Sequence, residues 1–149
     1  MKTLIYSMFA VSLFSLMGCG GSESEEFVGL WDVTGSTSIN MPMKGQLIMP
    51  VNEQITIHEG VDSNIVLTSA GCTMPASVKN GIATVTVNHT CTTRTPEGAA
   101  LNLTFTKGIV TINRDTFSLN ASGTVTYVNN GRTMQGEFLM TQTATRLAK

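Results

Sequence analysis

Ionisable side chains are scarce in this chain. Nine Lys and Arg, ten Asp and Glu and two His serve 149 residues, and the formal net charge is −1. There is no basic stripe, so the electrostatic footprint of a nucleic-acid binder is missing and no nucleic acid is expected as a partner. His58 and His89 are the only histidines. A zinc site at His89-Thr90-Cys91 would need a thiolate from Cys91 and two further ligands, so no metal is expected. No Ser stands in a G-x-S-x-G turn, and no Gly-rich phosphate loop follows a strand pattern. Glu53, Glu59, Glu97 and Glu137 are scattered over turns and polar positions, so no carboxylate pair separates an acid from a base. No catalytic residue and no cofactor is expected, and the chain does not read as an enzyme. Capped helical periodicity is missing after Cys19.

What is present at the N-terminus is a leader pattern. Lys2 precedes an apolar run from Leu4 to Met17, about 14 residues, which is short of the ~20 that a spanning helix needs. The run ends in Leu16-Met17-Gly18-Cys19 and gives way to GGSESEE. Leu16 to Cys19 resembles the lipobox of bacterial lipoproteins, with an aliphatic residue, a variable one, a small one and Cys. The resemblance implies cleavage before Cys19, a diacylglyceryl thioether on its sulfur and acylation of its new amino group. Gly20 rather than Asp follows the Cys, which in that family implies the outer membrane. Two or three acyl chains anchor firmly where one does not. The expected organisation is a signal peptide over 1–18, a lipidated Cys19 with a flexible acidic tether over 19–26, and one domain over 27–149. The membrane is then a partner through covalent lipid.

Three cysteines occur. With Cys19 assigned to the lipid by the lipobox, Cys72 and Cys91 remain as an even pair in an oxidising compartment and read as a disulfide.

Thr and Ser make up about a quarter of the chain, and Thr favours strands. Asn130-Gly131 is a type I′ hairpin signal between two alternating runs. With those two residues as the loop, Tyr127 opposes Met134, Val125 opposes Gly136, Gly123 opposes Phe138, Ala121 opposes Met140 and Phe117 opposes Ala144. Thr126 with Gln135, Thr124 with Glu137 and Ser118 with Thr143 take the other face. A slip by one residue would invert both faces. Lys107-Gly108 and Arg114-Asp115 read as two further turns, which makes Ala99 to Leu147 a four-stranded meander. Asn80-Gly81 folds CTMPASVK back on IATVTVN, with Pro75 at an edge or a bulge. Upstream, Leu30 to Ile39, Gly45 to Met49, Gln54 to His58 and Asn64 to Ser69 read as strands. Met41-Pro42-Met43 and Met49-Pro50 mark breaks.

The fold class is therefore all-β, an antiparallel up-and-down meander of about eight to ten strands. A sheet of this size closes or folds over on itself. Gly29-Leu30-Trp31 opens the first strand and Arg146 ends the last. This pattern is similar to that of lipocalins, avidins and fatty-acid-binding proteins, and of the short lipocalin-like domains of some bacterial lipoproteins. It implies a barrel closed by Arg146 packed across the Trp31 indole, with a two-sheet β-sandwich as the alternative. Two simpler readings remain open: Trp31 is a large core residue, and Arg146 pairs with Asp115. In a barrel, Trp31, Phe105, Phe117, Tyr127, Phe138 and Met140 face inward and are the candidate lining. Met41, Met43, Met49 and Met74 supply either core filling or an adaptable apolar lining, or else Met41-Pro42-Met43 is a soft-metal surface. Two roles follow. One is a lipid-anchored barrel holding a small apolar ligand. The other is an envelope lipoprotein with a packed interior that contacts other envelope proteins. An internal cavity separates them.

Overall fold

A computed structural model describes residues 22–149 apart from 43, 44, 62, 63, 70, 96 and 130. The signal segment 1–18, Cys19, Met43 and Asn130 lie outside the described residues. A short 3-10 helix (Glu23–Glu26) precedes β1 (Gly29–Met41), β2 (Gly45–Glu59), β3 (Asn64–Ser69), β4 (Cys72–Lys79), β5 (Ile82–Val85), β6 (Thr90–Arg94), β7 (Ala100–Asn113), β8 (Thr116–Asn129) and β9 (Arg132–Ala148). Each strand pairs antiparallel with its sequence neighbour from β1 to β5 and from β6 to β9. β9 returns to β1, and β5 pairs with β7. β5 and β6 both lie against β7 as the halves of one interrupted strand, so nine strands fill eight positions of a closed ring. The alternative of two packed sheets does not apply.

The β8–β9 hairpin has the register read from its turn: Tyr127↔Met134, Gly123↔Phe138 and Phe117↔Ala144 are all Cα partners. Asn129↔Arg132 leaves a two-residue connection, with Gly131 at φ 75° as a type I′ turn requires. Arg114-Asp115 also turns the chain, placing Ile112 beside Phe117 and Val110 beside Leu119.

Three expectations are corrected. Lys107-Gly108 is not a turn. β7 runs through it as a single strand with a bulge between Phe105 and Lys107, so Ala99 to Leu147 holds three strands rather than four. Gly108 is bare for a different reason: a Cβ there would sit 2.8 Å from the Val85 side chain, where β5 crosses to close the ring. Met49-Pro50 is not a break either. β2 is continuous because its ladder to β3 spans only Thr56–Glu59, so around Pro50 it has β1 as its only strand partner. A proline is tolerated where one edge of a strand needs no donor. The acidic segment is not free along its whole length. Ser24 and Phe27 are buried, and the hydroxyls of Ser22 and Ser24 donate to Glu59 at 2.8 and 2.9 Å.

Pro75 does lie at an interruption. Val85 is the last β5 residue on the β4 ladder, opposite Ala76, and Thr86 N donates to Pro75 O before the chain bends away. Asn88 at φ 61° makes that bend, and β6 then resumes against β7. The Cys72–Cys91 disulfide ties the start of β4 to β6 beyond the gap, with Cα atoms 5.0 Å apart.

Successive inward rows run across β2, β1, β9 and β8. They are Glu53–Val33–Ala144–Phe117, Val51–Gly35–Gln142–Leu119, Met49–Thr37–Met140–Ala121 and Leu47–Ile39–Phe138–Gly123. Outward rows carry mostly polar side chains, as in Asn52–Thr34–Thr143–Ser118–Thr111, with Ile48 and Leu139 exposed on another. This two-residue period separates a greasy interior from a hydroxyl-rich exterior.

Candidate functional site: an open cavity at one end of the barrel

The two ends of the barrel differ. One is sealed. Trp31 is fully buried, donates its Nε1–H to Phe27 O at 2.9 Å and meets Phe117 edge-on at 4.9 Å. The Arg146 guanidinium lies 4.1 Å from the indole centroid and donates to the carbonyls of Val28, Glu26 and Arg114. Its Nε stands 3.5 Å from Asp115 Oδ1, an ion pair without hydrogen-bond geometry, and Asp115 is mostly exposed. Both sequence readings of Arg146 are thus realised at once: it covers the indole and faces Asp115. Three carbonyls and a π face hold it, and the exposed carboxylate contributes little.

The other end is open. From Gly45 to Ile55, β2 pairs only with β1, and β6 pairs only with β7. The facing edges of β2 and β6 do not pair, and Ser69 and Gly71 line the gap. A cavity of about 550 Å³ fills this space. Its apolar wall includes Ile39, Met49, Met74, Leu103, Phe105 and Met140, and the bridged Cys72 and Cys91 also line it. The three methionines are soft, unbranched groups suited to an irregular apolar guest. A shallower concavity of about 440 Å³ lies outside the sealed end, lined mainly by outward Thr side chains such as Thr34, Thr111 and Thr143. It is solvated and polar, and the internal cavity is the better-built site.

Of the lining residues expected from sequence, Phe105 and Met140 face the cavity. Trp31 and Phe117 belong to the sealed end, and Phe138 packs edge-on against Phe105 at 5.3 Å. Tyr127 is buried on the inward face of β8 toward the open end. The polar part of the lining was not foreseen, and it includes Thr37, Glu53, Arg94 and Gln142. Thr37 and Gln142 are 5% and 6% exposed, against Glu53 half-buried and Arg94 exposed. Their signal in the sequence is an interruption of an inward series. Gln142 stands between Met140 and Ala144, and Thr37 between Gly35 and Ile39. Arg94 Nη1 donates to Gly98 O at 3.1 Å, which holds it at the rim.

Little else is placed to do chemistry. Glu59 sits at the sealed end, where hydrogen bonds from Ser22 and Ser24 hold its carboxyl below the ordinary value. Among the described residues, no three His, Cys, Asp or Glu side chains come together to hold a metal. Searches of family models, curated proteins and solved structures find no match to this chain.

Proposed function

We propose that this chain is a lipid-anchored lipoprotein of the bacterial outer membrane whose barrel holds a small apolar ligand. The observation that carries the binding role is the open cavity of about 550 Å³. Its size falls in the range of small-molecule sites, and its wall is aliphatic, aromatic and thioether. An eight-stranded ring is wide enough to be filled by side chains or to hold one small guest. Here the side chains fill the sealed end and stop short of the other. That favours binding over the packed-interior reading, in which the barrel serves only as a surface for other envelope proteins. The anchor rests on the lipobox at Leu16 to Cys19 and on the physics of multiple acyl chains.

Native mass spectrometry of the protein taken from its own envelope tests the binding role. A retained small molecule, lost when Met140→Trp fills the cavity, is the expected result. Protein that carries no guest, and that accepts none from an extract of envelope lipids, would remove the ligand from this reading.

A further inference from the structure

We propose that the cavity recognises an uncharged amphiphile, a single-chain lipid with an alcohol or amide head, through the side chains of Gln142 and Thr37. This rests on the binding role above and adds the chemistry of the guest. Gln142 on β9 and Thr37 on β1 are diagonal neighbours on the inward face: Gly35 pairs with Gln142, and Thr37 pairs with Met140. Both residues are more than nine-tenths buried and both line the cavity; no hydrogen bond within the described residues engages either side chain, and neither ends in a sealed polar atom, so the Gln142 amide and the Thr37 hydroxyl open onto the cavity. Polar groups that open on a cavity lose their water when an apolar chain enters, and the guest must replace those hydrogen bonds.

The surrounding groups select the charge of the head. Gln and Thr each offer both a donor and an acceptor, and so match a hydroxyl or an amide. No buried cation lines the cavity among the described residues. Arg94 is at the exposed rim, already bonded to Gly98 O, and half-buried Glu53 lines the same wall. A carboxylate head would lose its water without a buried cation to replace it. A neutral head satisfies the amide and the hydroxyl, while its chain lies along Ile39, Met140, Met49 and Phe105.

Calorimetric titration of residues 22–149, which contain all nine described strands, with dodecanol and with dodecanoate tests this. Dodecanol should bind at least about tenfold tighter than dodecanoate, and Gln142→Leu should weaken dodecanol about tenfold. Thr37→Val should act in the same direction. Gln142→Leu should leave the unfolding midpoint of the empty protein nearly unchanged, since its amide opens on the cavity and is not tied to the protein; a structural Gln142 would lower it. Equal or tighter binding of dodecanoate, or dodecanol binding indifferent to both substitutions, overturns the head-group assignment while leaving the cavity a binding site. If neither probe binds, the binding role falls, and this assignment with it.

Discussion

Gly123 is the point at which the barrel's geometry is most exposed to test. It sits on β8 opposite Phe138 on one side and Phe105 on the other, next to the β7 bulge. A Cβ placed there would overlap the carbonyl oxygen of Thr104 and lie 2.8 Å from Phe138 Cε1. The ring of Phe138 can swing. The carbonyl belongs to the β7 ladder and moves only with its strand. Gly123→Ala therefore forces a backbone shift, for which overpacking costs of ~1–3 kcal/mol are typical. The swing also disturbs the Phe105–Phe138 edge contact, worth a further ~0.5–1.5 kcal/mol. The total is about 3 kcal/mol, roughly a 10 °C loss in a domain of this size. Gly131 supplies the control for glycine's backbone freedom alone, since it has φ 75° and open space where a Cβ would go. Gly131→Ala should cost about 1 kcal/mol. Thr124→Val, exposed on the outward face, should cost under about 0.5 kcal/mol. Urea unfolding of residues 22–149 and these variants provides the comparison. If Gly123→Ala costs no more than Gly131→Ala, the close approach of β7 and β8 at the bulge is wrong, and the inward rows must be redrawn.

Cys72→Ser should cost about 2–4 kcal/mol for a cross-link across 19 residues, and non-reducing peptide mapping should recover the Cys72–Cys91 fragment. Arg146→Met should lose about 2–3 kcal/mol and shift Trp31 emission to the red, because three backbone carbonyls lose a charged donor. Asp115→Asn, at a carboxylate 79% exposed, should change stability by less than about 0.5 kcal/mol. The lowered pKa of Glu59 means that its hydrogen bonds stabilise the folded state fully above the ordinary carboxylate range and are lost as pH falls through the lowered value. Hydrogen exchange at Ser24–Phe27 should accelerate over that acid interval in the native protein and show no such step in Glu59→Gln. Cys19→Ser should abolish incorporation of labelled palmitate; label that persists would place the lipid on another residue.

The sequence by itself determined the features that depend on near neighbours and on the two-residue period of a strand. The β8–β9 register was legible because Asn130-Gly131 permits one tight turn, and because a shift by one residue would turn Phe117, Tyr127 and Phe138 outward. Cys72 and Cys91 were a pair once an oxidising compartment was inferred. Lys107-Gly108 and Met49-Pro50 misled because a turn, a bulge and a half-paired strand share the same residues. What separates them is the company a strand keeps: β7 is held on one side by β8 and on the other by β5 and β6, and Pro50 lies where β2 has only β1. The cavity belongs wholly to the tertiary structure. It exists because the ladder between β2 and β3 ends at Thr56 and β6 turns to β7 alone, leaving two edges apart. No local pattern records where two distant strands fail to meet. The same holds for Gln142: alternation along β9 puts it on the inward face, but only closure of the ring decides that this face is an open cavity rather than packed core.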